Sequence, residues 1–188
     1  MIPTREEAIC LLADAEACNP GLWGDHSRNC ARCAQLIATE AGMDSEKAYI
    51  LGLLHDIGRK FGKGHLAHVW DGYRYMMELG YDEAARICLT HSFNTGDFEQ
   101  FIGQRDIPAE QVEVVRELLG RTRMDDYDRL IQLCDGLATS QGVVDIEWRM
   151  NDVRRRYGSY PQKQWDANLA LLEEFSRRAG RSVYEIIK

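Results

Sequence analysis

All five histidines of the chain lie between positions 26 and 91, and three of them stand where helical periodicity predicts buried apolar residues. His26 opens an apolar stripe, His55 ends the most apolar stretch, and His91 extends a third stripe. Asp135 lies within another apolar run. Buried polar groups are costly unless they are paired or coordinated, so their presence on separate helices suggests a shared cation. Mixed histidine and carboxylate ligation suits a divalent transition metal better than calcium.

His55 and Asp56 form an adjacent pair just before Gly58. Neighbouring side chains on a helix diverge by ~100°, but in the last turn both can reach an ion that lies beyond the helix end. Asp56 is therefore predicted to be both a metal ligand and a catalytic residue.

Basic side chains follow this pair in the glycine-rich segment 58–64. Arg59, Lys60 and Lys63 could bind a phosphate group of a substrate, and Lys60 is also predicted to be catalytic. A solvated helix end is an equal alternative for Arg59 and Lys60. Arg123, which precedes the helix that carries the last aspartate of the set, is a further candidate for substrate binding.

Helical periodicity dominates the chain, and no segment alternates with period two for long. This predicts an all-α bundle of about eight or nine helices with short loops. The helix over about 44–57 is apolar nearly all round and should be central and buried. The weakest boundary is 158–161, which would separate a catalytic domain over 1–158 from a helical extension over 159–188 that packs on the same domain.

The chain has 188 residues and a formal net charge of −7, which disfavours a nucleic-acid polymer as the partner. The cluster Arg154–Arg156 is interpreted as a solvated helix face. The longest apolar run, 49–54, is too short to cross a bilayer, and the N-terminus does not read as a signal peptide. A cytoplasmic protein with no membrane partner is expected.

The six cysteines should therefore be reduced thiols. Cys30 and Cys33 form a C-x-x-C motif that follows His26, which could bind zinc or act in redox chemistry. No second cysteine pair accompanies them, and both fit the apolar stripe of their helix. Burial in the core is the preferred interpretation.

Leu53–Gly58 (LLHDIG) resembles the signature of the HD-domain phosphohydrolases, including its HDIG variant. The upstream histidine and the downstream aspartate complete that family's order of His, then His-Asp, then Asp, over about 25–140. The resemblance implies a helical fold, in agreement with the periodicity. It also implies four metal ligands: His26, His55, Asp56 and Asp135.

Residues 68–92 are similar to the branch of that family that cleaves dinucleoside tetraphosphates symmetrically. In that branch two further histidines, here His68 and His91, bind a second ion. Asp56 would then bridge the two ions, with a hydroxide between them as the nucleophile. Residues 92–96 (SFNTG) depart from the His-Thr-Thr-Gly expected there.

The resemblance implies hydrolysis of a phosphoester or phosphoanhydride bond in a small nucleotide-like substrate. One or two divalent transition-metal ions are expected, iron or manganese first, with zinc, nickel, cobalt or magnesium as alternatives. Whether the chain forms a homodimer stays open. His65, one turn before His68, is a surface histidine in the preferred interpretation, with a contact to substrate or metal as the alternative.

Two other functions remain open. Some proteins of this fold bind two irons with the same ligands and are oxygenases of small organic substrates. A non-catalytic nucleotide-binding module that keeps a metal for structure is the second alternative.

Overall fold

Ten α-helices and one two-stranded antiparallel hairpin form the chain in a computed structural model that describes residues 1–188. The all-α prediction is confirmed, with the last predicted turn forming a short helix of its own. The elements are α1 (Arg5–Cys18), α2 (Trp23–Glu40), α3 (Ser45–Leu54), α4 (Leu66–Glu78), α5 (Asp82–Thr90), α6 (Ala109–Arg121), α7 (Asp126–Leu137), β1 (Ala138–Thr139), β2 (Gly142–Val143), α8 (Ile146–Tyr157), α9 (Gln162–Ala179) and α10 (Val183–Ile186).

Helix α3 is the centre of the main core and packs closely on α2. Gly52 allows this approach, because a Cβ at that position would lie 2.9 Å from the Cα of Ala31. Such a distance is shorter than any contact that packed carbon atoms tolerate. The small residues at this crossing therefore bring the end of α3 beside the first turns of α2, where His26 lies.

Helix α3 ends at Leu54 rather than near 57, and the chain continues as a 3₁₀ turn over Ile57–Phe61. Gly58 makes this turn fit against α4. A Cβ at Gly58 would lie only 1.9 Å from the carbonyl oxygen of His68, so a side chain is sterically excluded. The glycine after the His-Asp pair thus brings that pair against α4.

Side-chain caps set where two helices of the site, α3 and α7, begin. Asp44 accepts a hydrogen bond from the backbone N–H of Lys47 at 3.0 Å and starts α3; the sequence allows either Asp44 or Ser45 as this cap. Asp125 and Asp128 form a reciprocal capping box at the start of α7. These caps fix the first turns of two helices whose other ends carry site residues.

Helix α7 ends at Leu137, whereas periodicity predicts helix to about 141. The chain turns instead into the hairpin, where Gly142 has a φ of 125° and the N–H of Val144 donates to Leu137 O. A φ of that sign suits glycine alone. The hairpin reverses the chain and returns α8 towards the end of α7.

Helices α9 and α10 contribute Leu171, Phe175 and Val183 to the main core. Gly158 ends α8 in the left-handed conformation, with φ 81°. The division of the chain at residue 158 stays a prediction. None of the ten helices combines the length and the apolarity that a membrane crossing requires.

Candidate metal centre

Three side chains, from α2, from the residue that follows α3 and from α7, converge on one point, which we call site 1: His26, His55 and Asp135. The Nε2 atoms of His26 and His55 are 3.2 Å apart. Asp135 Oδ1 lies 3.0 Å from His26 Nε2 and 3.7 Å from His55 Nε2. Two imidazole nitrogens and one carboxylate oxygen therefore face a common centre.

A second group of three, which we call site 2, consists of Asp56, His68 and His91. Asp56 Oδ1 lies 3.2 Å from His68 Nε2 and 3.6 Å from His91 Nε2. The two imidazole Nε2 atoms are 3.2 Å apart. In each site the ligand atoms all lie within 4.8 Å of one another, as one coordinated ion requires.

Asp56 lies between the two sites. Its Oδ1 faces site 2, and its Oδ2 lies 4.0 Å from His55 Nε2 in site 1. The rings of His55 and His91 are also close, with centroids 5.2 Å apart. The two sites are therefore neighbours, and one carboxylate has an oxygen towards each of them.

Backbone carbonyls fix the orientation of three of the imidazole rings. Nδ1 of His55 lies 2.7 Å from Gly52 O, and Nδ1 of His68 lies 3.1 Å from Gly64 O. Nδ1 of His91 lies 2.9 Å from the carbonyl oxygen of Cys88. A carbonyl oxygen only accepts, so each Nδ1 donates and each Nε2 is left free to bind a metal.

The charge states of the site 2 residues also suit a cation. Burial lowers the pKa of His68 to about 3 and lowers the pKa of His91, so both rings are neutral at neutral pH. Burial raises the pKa of Asp56, but Arg59 and the three neighbouring histidines together outweigh it and hold that pKa well below its usual value. Neutral imidazoles and an ionised carboxylate form the donor set that divalent transition metals prefer. The residues present fit such an ion.

The predicted substrate-binding residues divide into two groups. Arg59 and Lys63 line the cleft above the two sites, and Arg59 Nε donates to Asp56 Oδ2 at 2.6 Å. Lys60 lies outside that lining, and its Nζ donates to Tyr75 OH at 3.1 Å. Arg123 does not line the cleft either. The positions of Lys60 and Arg123 thus give their predicted roles no support.

The cleft has a volume of about 600 Å³ and opens directly above both sites. His65 lines it, and its ring lies edge-on to Tyr157 with centroids 5.8 Å apart. His65 is therefore placed for contact with a ligand in the cleft, although it belongs to neither site.

One face of α8 forms a wall of this cleft that the sequence interpretation missed. Its residues are Arg149, Val153, Arg156 and Tyr157. Their spacing of i, i+4, i+7 and i+8 is the periodicity of one helix face. Arg156 belongs to the cluster interpreted as solvated, although its guanidinium also pairs with Asp152. The sequence shows this periodicity, but nothing in the periodicity indicates that this face of α8 lies beside the metal centre.

The C-x-x-C motif belongs to the core. Cys30 is fully buried, Cys33 is 1% exposed, and both are part of the main apolar cluster. Burial raises the pKa of the Cys30 thiol to about 11, so it stays protonated at neutral pH. The preferred interpretation of the motif as core agrees with this placement.

Comparison with known proteins gives a family and no individual relative. No curated protein and no solved structure matches the chain significantly. The family model described as HD domain matches residues 23–140, which is more than half of the chain. That span includes every residue of sites 1 and 2. The chain belongs to the HD domain family.

Proposed function

We propose that this protein is a metal-dependent phosphohydrolase that cleaves a phosphoester or phosphoanhydride bond in a small nucleotide-like substrate. The observation that carries the proposal is the position of Asp56, with one carboxylate oxygen towards each of two buried donor sets. Paired sites of this kind suit in-line displacement at phosphorus. Site 1 would hold one divalent ion through three ligands and site 2 a second, with iron or manganese first among the metals.

A bound divalent ion polarises a phosphoryl oxygen and lowers the pKa of water from ~15.7 towards ~7. The chain itself supplies the binding of the anion. Arg59, Lys63, Arg149 and Arg156 all line the cleft and can neutralise phosphoryl oxygens. These cations matter because the protein as a whole carries a formal charge of −7.

The presence of two donor sets also supports the two-metal, HDIG-type branch that cleaves dinucleoside tetraphosphates. His68 and His91 stand together with Asp56, as that resemblance implies. We further propose that the physiological partner is a small phosphorylated molecule and neither a nucleic-acid polymer nor a membrane. We also propose a cytoplasmic location, in which the six cysteines would stay free thiols.

The test combines metal analysis with a phosphate-release screen over nucleotides, dinucleoside polyphosphates and simple phosphate esters. The variant His55→Ala/Asp56→Ala removes one ligand from each site. His65→Ala is the matched control, because this histidine lines the same cleft but belongs to neither site. We expect two ions per chain in the wild type and in His65→Ala, and loss of both metal and turnover in the double variant.

Three other results would contradict the proposal at different points. A double variant that retains its metal would overturn the ligand assignment. Metal without phosphate release, but with oxygen consumption by the iron-loaded protein, would indicate an oxygenase. Tight nucleotide binding without any turnover across several metals would indicate a regulatory module.

A further inference from the structure

A second cavity, which we call the recess, adjoins the metal centre between α7, α8, the start of α9 and the segment 91–102. Its volume is about 160 Å³. His91 of site 2 and Asp135 of site 1 line both the recess and the open cleft. A phosphate group bound at the two sites therefore lies at the mouth of the recess.

Tyr160 lines the recess from the short segment between α8 and α9. Its ring packs against the main core and lies edge-on to Trp165, with ring centroids 5.9 Å apart. These contacts hold the ring in place, so the position of its hydroxyl group is fixed before any ligand binds.

A chain of hydrogen bonds determines how the oxygen of this hydroxyl is used. Asn94 Nδ2 donates to the backbone oxygen of Gln164 at 3.1 Å and to Asn168 Oδ1 at 2.9 Å. A backbone oxygen can only accept, so the orientation of both amides is fixed, and Asn168 turns its nitrogen to the tyrosine. Asn168 Nδ2 donates to the hydroxyl oxygen of Tyr160 at 2.7 Å. In that bond the tyrosine is the acceptor.

The proton of the Tyr160 hydroxyl is left over for a ligand. A tyrosine hydroxyl both accepts and donates, and no atom of the chain accepts the proton of this one. Burial raises the pKa of Tyr160 to about 12, so the hydroxyl keeps its proton at neutral pH. It is therefore an unused hydrogen-bond donor at the recess.

Arg149 supplies a second unused donor beside it. Arg149 lines both the recess and the cleft and forms no ion pair. After burial and the Asn168 hydrogen bond, the charges of Asp135 and Arg149 also act on the pKa of Tyr160, in opposite directions, so the hydroxyl lies near both residues. A guanidinium and a hydroxyl without acceptors, next to a metal ligand, suit the oxygens of a phosphoryl group.

We propose that the Tyr160 hydroxyl, beside Arg149, donates a hydrogen bond to a non-bridging oxygen of the phosphoryl group held at the metal centre. This inference rests on the phosphohydrolase function proposed above and adds a substrate-binding residue to it. Tyr160 lies beyond residues 23–140, which the HD domain model matches. The segment after α8 thus completes a substrate site whose metal ligands all belong to the HD domain.

The variant Tyr160→Phe removes the hydroxyl and keeps the ring. The measurement is isothermal titration calorimetry of inorganic phosphate with the metal-loaded protein. We expect the Kd for phosphate to rise about tenfold or more, which is the contribution of one hydrogen bond to a charged group. The metal content should not change, because Tyr160 belongs to neither donor set.

Turnover gives a second measurement. Because the proposed bond is made to the phosphoryl group, Tyr160→Phe should lower kcat/KM by the same factor for esters with different leaving groups. Phenyl phosphate and adenosine 5′-monophosphate form such a pair. A loss confined to one ester would place the hydroxyl at the leaving group and contradict the proposal.

Tyr127→Phe is the matched control. The hydroxyl of Tyr127 also accepts one hydrogen bond, from the backbone N–H of Asp44 at 3.2 Å, but Tyr127 lines neither cavity. The two variants therefore lose the same kind of internal bond. We expect Tyr127→Phe to bind phosphate as the wild type does.

The outcomes separate this inference from the proposed function. It is overturned if the wild type binds no phosphate, if Tyr160→Phe binds it equally well, or if Tyr127→Phe weakens binding as much. Loss of metal from Tyr160→Phe would also overturn it, since the tyrosine would then position Asp135 and not the substrate. If phosphate binding depends on Tyr160 but no ester is hydrolysed, the phosphohydrolase function fails and the phosphate contact stands.

Discussion

Asp56 is the carboxylate of the metal centre that has one oxygen towards each of the two sites. It is 3% exposed, and its oxygens face His68 in site 2 and His55 in site 1, while Arg59 donates to the second oxygen. Burial destabilises the ionised form of a carboxylate, but positively charged and hydrogen-bond-donating neighbours compensate, so Asp56 stays ionised. This residue therefore couples the two sites, whereas each of the other ligands serves one.

That difference predicts unequal effects of two matched substitutions. Asp56→Asn removes the charge shared by both sites, and we expect it to lose most of both ions. Asp135→Asn removes a ligand of site 1 alone, so one ion per chain should remain in site 2. Metal analysis after gel filtration measures the result. Equal metal loss in the two variants would contradict the shared position of Asp56.

The ligand types and their helices were readable from the sequence because polar residues in apolar stripes are conspicuous. His26, His55, His91 and Asp135 all stand out in this way. The hydrogen bonds of Asn94 and Gln132 were not readable. They depend on which backbone carbonyls lie beside each amide nitrogen, and those carbonyls belong to segments far away in sequence.

At the scale of elements, two crossings bring the ligands together. Helix α3 lies against α2 at Gly52, and the 3₁₀ turn lies against α4 at Gly58. Both contacts leave no space for a Cβ, so both are fixed by the absence of a side chain. The second crossing brings Asp56 to His68 and so assembles site 2.

Gly58→Ala should therefore destabilise the protein by about 3 kcal/mol or more, because the new methyl group meets backbone atoms that cannot rotate away. Gly120→Ala is the matched control. Gly120 lies within α6 with open space around it, and we expect alanine there to be neutral or stabilising by up to about 1 kcal/mol. Urea unfolding compares the two variants with the wild type. Equal stabilities would show that the turn can move away from α4.

Helix α8 supplies a prediction about substrate affinity. Arg149→Met removes a cation of the cleft wall that forms no ion pair. We expect KM for phosphorylated substrates to rise about tenfold or more. Arg155→Met is the control, because Arg155 is exposed, pairs with Asp152 and lines no cleft. Steady-state kinetics of phosphate release measures KM for both variants and for the wild type. The same change in both variants would show a general charge effect instead of a local contact.

The position of α8 could not be predicted from the sequence, for a physical reason. The hairpin that reverses the chain has strands of two residues each, which are too short to show an alternating pattern. Its residues up to 141 therefore continue the helical periodicity of α7, and the reversal at Gly142 depends on one left-handed backbone angle. The position of α8 depends on that reversal and on the burial of Ile146 and Met150 in the main core.

At the scale of the whole molecule, one carboxylate links α4 to the long segment between α5 and α6. Asp106 accepts hydrogen bonds from the backbone N–H groups of His65 and Ala67, at 2.7 and 2.9 Å. It thereby caps α4 from a position 41 residues away along the chain. The long segment between α5 and α6 is held against the metal centre through this cap.

Asp106→Ala should lower the free energy of unfolding at pH 7 by about 1 kcal/mol. Burial raises the pKa of Asp106, but the two backbone hydrogen bonds outweigh it and lower that pKa below its ordinary 3.8. A lowered pKa in the folded state stabilises the protein above pH 3.8 and ceases to do so as the pH falls through the lowered value. Urea unfolding at several pH values should show the difference between variant and wild type shrinking below pH 4. A constant difference would mean that the cap acts without its charge.

The backbone hydrogen bonds of the imidazole rings have a consequence for how the centre tolerates change. The Nδ1 atoms of His55, His68 and His91 are held by main-chain oxygens and by no side chain. A substitution among the surrounding side chains therefore leaves the orientation of these rings unchanged, provided that the backbone at the helix ends keeps its position. The walls of the cleft can thus diverge between relatives, and with them the molecule that is recognised, while the metal-binding geometry is inherited unchanged.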